Sequence, residues 1–431
     1  MEFPHEEVPP GVIAVCAQLR EAGHRAWIVG GCVRDLLLGR AVGDWDVATS
    51  ARPDEVTRAF RKVIPTGIDH GTVTVLHRGE GYEVTTLRGD GTYSDGRRPD
   101  EVTFVDDIAD DLARRDFTVN AIAYEPTSRA LVDPHGGLAD LDARLLRAVG
   151  VPAQRFGEDG LRILRGARFV ATLDFELEAE TEAAFAGVLD VFAKVSPERV
   201  REEWLKAMKA DRPSRAFEVM ARTGILARTC APLGELAPDL FRLSLEALDA
   251  SEATGAERLA ALLHRIGRAR GAGEGAYAQT SADLAEGWLR EYRFSNAERR
   301  TIGHAIRHHR ELLDLDPADA GATRRFVASV GRDEWEPVAR LAAAVGRAEG
   351  TDPGETLAAV QTVAASPAPL AIGDLAIGGR EVIGALGGGG RMVGQVLEAL
   401  LARVLAEPAA NEAELLLAAI PEIRADLEAR Q

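Results

Sequence analysis

The chain has 431 residues, of which 46% are hydrophobic, 5% aromatic and 28% charged. Its 51 Lys and Arg against 68 Asp and Glu give a net charge of −17, too acidic for a protein that coats nucleic acid through counterion release. A nucleic-acid partner therefore requires basic residues concentrated locally.

The composition is globular rather than disordered, and the length suggests about two to four domains. No run of about 18 uncharged apolar residues occurs, which predicts no membrane span. The acidic start, Met1-Glu2-Phe3-Pro4-His5-Glu6-Glu7, lacks the basic and apolar stretches of a signal peptide. Cys16, Cys32 and Cys230 are too few and too widely spaced for a disulfide framework or a Cys-based zinc site, so a cytoplasmic location is expected.

In chain order, residues 26–29, 45–48, 72–76, 82–87, 102–104 and 121–124 are short apolar or alternating runs bounded by Gly, Asp or Pro, and read as strands of one sheet. Beyond about residue 155 the strand signals fade. Helical spacing of Ala, Leu, Glu and Arg takes over, as in 180–192, 197–210 and 281–290. Ser366-Pro367-Ala368-Pro369 reads as a linker, and glycines 387–390 as a flexible turn before an amphipathic run over 393–405. The expected class is α+β: a mixed-sheet domain over 1–150, then all-helical segments over 151–215, 216–365 and 366–431.

Four clusters carry candidate chemistry. In Gly30-Gly31-Cys32-Val33-Arg34-Asp35 a strand runs into paired glycines and a helix, where backbone N–H groups can approach a phosphate and Arg34 can add a charged donor. Gly-Gly at such a junction is also common turn chemistry. Asp44 and Asp46, two apart on an expected strand, would share one side and repel unless a cation lies between them. Mg²⁺, which takes one or two carboxylates and fills its octahedron with phosphate oxygens and waters, suits that pair. Trp45 and Val47 are expected to face the other way, buried; the alternative is an exposed strand edge with solvated acids.

The third cluster, Arg114-Arg115-Asp116-Phe117-Thr118-Val119-Asn120, offers Arg side chains suited to triphosphate oxygens, or a helix N-terminus capped by Asp116. The fourth holds Glu158, Asp159, Arg162, Arg165 and Arg168. From 144 to 168 six Arg face only Glu158 and Asp159, and from 194 to 215 seven Lys and Arg face four acids. Asp159, Arg162, Arg165 and Arg168 recur every three residues, a helix ridge that could present Asp and Arg side by side, or a solvated salt-bridge ladder. A carboxylate acceptor beside an Arg donor matches the amino and ring-nitrogen edges of C and A, and leaves buried groups unpaired against U and G.

These segments occur in the order of class II tRNA nucleotidyltransferases, which the chain resembles: the bacterial CCA-adding enzymes and their poly(A) polymerase relatives, within the polymerase β-like superfamily. Asp133-Pro134-x-Gly136-Gly137-x-x-Asp140 and Ser196-Pro197-Glu198-Arg199 with Glu203 extend the resemblance, and 375–405 is similar to the family's tail. It implies a nucleotidyltransferase head followed by helical neck, body and tail, the tail binding tRNA. It also implies template-independent CCA addition to the tRNA 3′ end from CTP and ATP, with no stable protein partner. Asp44 and Asp46 would hold Mg²⁺, Gly31, Arg34 and Arg115 would contact the nucleotide, Asp159 and Arg162 would read the base, and Arg165 and Arg168 would complete the site. Glu83, inward if Glu83, Thr85 and Leu87 alternate, is a candidate third catalytic carboxylate or a strand-surface acid. The stretch 90–99 matches the family's loop whose presence favours A addition as well.

Other readings differ in class. His264, followed by Arg265 instead of the Asp of an HD phosphohydrolase, with His304 and His308, resembles a degraded metal site; Arg cannot ligate a metal. A non-catalytic RNA binder is the third class, although so few aromatics make a poor stacking platform. Within the family, A-only, CC-only and poly(A) addition share these motifs, but poly(A) enzymes often carry basic extensions, whereas 412–431 is acidic.

Overall fold

The computed structural model describes residues 3–68, 71–89, 103–273 and 275–429. They form two compact units, Met1–Thr229 and Cys230–Gln431. The loop expected over 90–99 lies outside the described residues.

The first unit is built on a seven-stranded mixed sheet. Its strands are β1 (Ala26–Val29), β2 (Asp46–Thr49), β3 (Val63–Gly67), β4 (Thr72–His77), β5 (Glu80–Thr86), β6 (Ala123–Glu125) and β7 (Ala130–Val132), ordered β3-β4-β5-β2-β1-β6-β7. All neighbours are antiparallel except β2 and β5, which run parallel with Asp46 opposite Glu83 and Ala48 opposite Thr85. Side chains alternate across a strand, so Asp46 and Glu83 stand side by side on one face. Farther along the same face Trp27, Val29, Ala48, Leu87, Ile108 and Leu112 form a buried cluster.

Two expectations are corrected here. The second strand begins at Asp46, not residue 45, so Asp44 precedes it, and Trp45 is only half-buried. Nor do the described residues of 102–104 form a strand: Phe104 makes an isolated bridge with Arg88. Strands β3 and β7 were not expected.

Helices α1 (Pro10–Glu21) and α2 (Gly31–Leu37) flank β1, followed in the chain by α3 (Pro53–Ala59), α4 (Ile108–Ala113) and α5 (Gly137–Asp142). The helical remainder of the unit comprises α6 (Pro152–Glu158), α7 (Leu161–Leu173), α8 (Ala179–Gly187), α9 (Leu189–Phe192), α10 (Pro197–Ala207), α11 (Ser214–Arg222) and α12 (Ile225–Thr229), so the helix expected over 180–192 breaks at Val188. The segment expected to be all-helical over 151–215 is interrupted by a two-residue strand, Glu176–Leu177, which pairs in parallel with Leu145–Leu146. Phe117, Phe156, Phe169 and Phe185 knit α6, α7 and α8 to the sheet domain, with ring centroids 5.1–6.1 Å apart. Their edge-on and tilted geometries are favourable for aromatic pairs. At the head of α7 the chain needs Gly160: a Cβ there would lie 2.5 Å from the Cα of Phe192.

The described residues of the second unit form helices only. Leu312, Phe326, Val327, Val338 and Val360 build one core, and Val382, Val396, Leu400, Val404, Leu416 and Ile420 another. The long helix Asn296–Leu313 opens with a capping box, in which Glu298 N–H donates to Ser295 Oγ at 3.2 Å and Ser295 N–H to Glu298 at 2.8 Å. The Pro-rich stretch expected to be a linker is tied down, since Arg332 donates at 2.7 Å to the carbonyls of both Ala364 and Ala368. Among the described residues no helix is long and apolar enough to cross a membrane.

Candidate active site

A cleft lies over the sheet face that carries Asp46 and Glu83. Strand β1 enters it through Gly30, whose φ of +82° is open to glycine, and α2 starts at Gly31. A Cβ on Gly30 would come within 2.5 Å of Arg115 Nη1, so the absent side chain makes room for that guanidinium. Asp44, Asp46 and Glu83 line one part of the cleft. Arg162, Arg165 and Arg168, three apart on α7, line another.

The acids are poorly compensated. Burial, then Glu83, then Asp44 hold the Asp46 carboxyl above its ordinary value, against the opposing Arg115. Crowded carboxylates of this kind suit a hard divalent cation. Among the described residues no three His, Cys, Asp or Glu side chains converge as a metal site. The donor set therefore fits an ion that draws its other ligands from substrate phosphates and water.

A hydrogen-bonded relay stiffens the opposite wall. Arg34, 8% exposed, donates to Asp35 at 2.9 Å and to Asn120 Oδ1. Asn120 Nδ2 donates to Asp116 at 3.0 Å, and Arg165 donates to Asp116 at 2.7 Å. Although burial works against ionisation, Arg165 and Asn120 hold the Asp116 carboxyl well below the usual carboxylate range. Asp116 is thus the hub of the relay and caps no helix. Asp140 supports it from below, accepting from Thr118 Oγ1 at 2.7 Å, while Asp133 receives the N–H groups of Gly137 and Leu138 at 2.7 and 2.9 Å. Arg114 and Arg115 both fold onto Asp111, at 3.0 and 3.3 Å, and Arg115 also reaches the Asn120 carbonyl.

The expected ridge of Asp159, Arg162, Arg165 and Arg168 is corrected in one respect. Asp159 ends α6 in extended backbone and lies outside α7, so it does not pair with Arg162. Its carboxylate binds Arg199 of α10 at 2.7 Å and the Leu161 N–H at 3.0 Å. Arg162 instead donates to Glu158 at 2.5 Å and to the carbonyls of Arg155 and Arg114 at 2.6 and 3.0 Å. Both still line the cleft. Nor is the row a solvated ladder: Arg168 donates to Glu203, which is 2% exposed, at 2.5 Å. Arg199 and Glu203, one helical turn apart on α10, therefore brace the two ends of the row. In the sequence the two residues carry only a family motif without assigned roles, with their i, i+4 spacing as the available signal.

Nine basic side chains line the cleft among the described residues against six acids, reversing locally the sign of the chain's total. Residues missed in the sequence include Arg88, Asp111 and Lys206, which join this lining.

The histidines of the second unit make no comparable centre. His264 and His309 are buried edge to face with centroids 5.3 Å apart, each ring Nδ1 against a carbonyl of its own helical turn. The buried Arg265 forms an ion pair with the half-buried Glu349. His304 and His308 lie with their rings tilted and centroids 4.7 Å apart, and no third ligand joins them among the described residues.

Comparison with known proteins agrees with this arrangement. The Poly A polymerase head domain matches residues 26–147, and the probable RNA and SrmB-binding site of polymerase A matches 174–232. The CCA-adding enzyme of Lactobacillus johnsonii is 48% identical over 219 residues, 51% of this chain and 55% of the relative; that of Geobacillus kaustophilus is 46% identical over 215 residues, 50% and 53%. The chain thus spans about half the length of the curated relatives it matches. The crystal structure of the Bacillus stearothermophilus CCA-adding enzyme in complex with CTP is 32% identical, with a TM-score of 0.74 over 98% of this chain and 100% of that one. A Thermotoga maritima CCA-adding enzyme complexed with tRNA shares the fold at 20% identity and a TM-score of 0.63. With identity above 30% across the whole of one solved relative, and with the head-domain match covering the acids and the Gly-Gly turn, the chain belongs to the family of the bacterial CCA-adding enzymes.

Proposed function

We propose that the chain adds C, C and A to the 3′ end of tRNA without a template, using CTP and ATP and releasing pyrophosphate. The observation that carries this is the juxtaposition, in one cleft, of the Asp44–Asp46–Glu83 acids with Arg162, Arg165 and Arg168 of α7. The names of the relatives and the CTP bound to the Bacillus stearothermophilus enzyme support the choice of substrates.

In this reading Asp44 and Asp46 hold Mg²⁺, which when bound would lower the pKa of the 3′-hydroxyl and offset charge at the phosphates. Glu83, beside Asp46 in register, adds negative charge at the same place. Gly31, Arg34 and Arg115 receive the triphosphate. Asp159 accepts from the amino group of C or A, and Arg162, with three of its five N–H groups engaged by protein oxygens, donates to the ring nitrogen. Arg165 and Arg168 complete the nucleotide site. Residues 1–150 serve as catalytic head, 151–215 as neck, 216–365 as body and 366–431 as the tRNA-binding tail. Three buried free cysteines suit a reducing cytoplasm.

The test is incubation with tRNA transcripts ending before CCA, after C and after CC, with CTP and ATP supplied singly and together. Stepwise CTP incorporation followed by one A is expected. Absence of any CTP incorporation removes CCA addition.

A further inference from the structure

The row of acids borders two hollows. One is the basic cleft. The other lies where β2 and β5 begin, and Gly43, Trp45, Gly81 and Tyr82 join Asp44, Asp46 and Glu83 in its wall. The two differ in chemistry: no Lys, Arg or His lines the second hollow among the described residues, and Glu80 brings a fourth carboxylate. A triphosphate would be repelled there, whereas an uncharged ribose and base would not.

The hollow also has room and aromatic residues in its wall. Space beside Gly43 is open, with nothing within 4 Å of where its Cβ would stand. Tyr82 is buried and its hydroxyl donates to Glu80 at 2.5 Å, so it forms part of the wall. Trp45, half-buried between the two acids, is the other aromatic residue of the wall.

In-line displacement at an α-phosphate requires the entering oxygen to approach opposite the leaving pyrophosphate. Basic side chains draw the pyrophosphate into the cleft, which leaves the far side of the acid row to the entering hydroxyl. We propose that the second hollow seats the 3′-terminal nucleoside of the acceptor RNA, with the Trp45 indole stacked on its base. The inference rests on the nucleotidyl-transfer reading above. The 3′-oxygen forms the new bond to the α-phosphorus, its proton passes to solvent, and the bridging oxygen departs with pyrophosphate. Stacking is indifferent to base identity because every base has a π-face. One ring can therefore serve each successive end of a growing chain.

The test compares Trp45→Ala, Trp45→Leu and Trp45→Phe in the full chain, with a tRNA transcript lacking CCA as acceptor. Loss of one stacked base is expected to raise the acceptor KM about tenfold in the Ala and Leu variants, with the KM for CTP unchanged and Phe restoring most of the loss. In parallel, a transcript ending in 4-thiouridine is irradiated with the wild-type chain, and the crosslink is expected on the peptide carrying Trp45. An unchanged acceptor KM, an equal rise in both KM values, or a crosslink mapping elsewhere overturns the seat and leaves the transfer reading standing. If the Ala and Leu variants do not fold, the crosslink decides. A wild-type chain that extends no transcript removes both readings.

Discussion

Arg199 holds the carboxylate of Asp159 at 2.7 Å across 40 residues of sequence, while Arg162, three positions from Asp159, is bound to Glu158. The two groups assigned to the base edge are thus fixed independently, each from its own side.

Arg199→Ala should therefore release Asp159 without touching Arg162. We expect kcat/KM for CTP and ATP to fall and relative UTP incorporation to rise, each by about tenfold, the scale of one lost charge-assisted hydrogen bond. Single-turnover incorporation with each of the four nucleotides measures this. A variant whose CTP-to-UTP ratio matches wild type removes Arg199 from base selection.

Asp44→Ala and Asp46→Ala should each abolish incorporation while tRNA binding, measured by filter retention, survives. Because the Asp46 carboxyl is held above its ordinary value, its metal affinity should decline at a higher pH than that of an ordinary carboxylate. Substantial activity in both variants would dispose of the metal site.

Gly160→Ala would press a methyl group against the Phe192 backbone, which has no rotamer to yield. Overpacking of this kind costs about 1–3 kcal/mol. Because Gly160 sits between Asp159 and Arg162, nucleotide binding should weaken together with Tm. A Tm equal to wild type would mean that α7 and α9 part more easily than the structure implies.

The buried histidines predict an acid limb of stability. Burial pushes the His309 imidazole from 6.5 to about 4, with Arg265 and Arg310 acting in the same direction, and burial, His309 and Arg265 lower His264 too. The unfolded chain binds these protons from about pH 6.5 downward while the fold resists until about pH 4, so stability is present above that window and lost through it. His309 alone accounts for about 3 kcal/mol. Unfolding by urea between pH 7 and pH 4 should show a shallower decline in His309→Gln than in wild type; parallel curves would exclude this group.

What the sequence made legible followed from local pattern. Strand β1 was marked by four apolar residues between charged and Gly-Gly boundaries, and Asp46, Glu83 and the Arg row by their spacing. Strand β3 was invisible because three of its five residues are exposed and no alternation survives. The Asp159–Arg199 pair joins segments far apart in sequence, which no periodicity reports. Asp44 lies two positions before the first residue of β2, and the same boundary shift misplaces Trp45.

The parallel pairing of β2 with β5 has a consequence for recognising such chains. Asp46 and Glu83 meet by register across two neighbouring strands, while the β3–β4 hairpin between them in sequence lies toward the sheet's edge. That hairpin can lengthen or shorten without moving either acid. The interval separating the two carboxylates is accordingly free to drift, and a search that fixes it would pass over chains with the same centre.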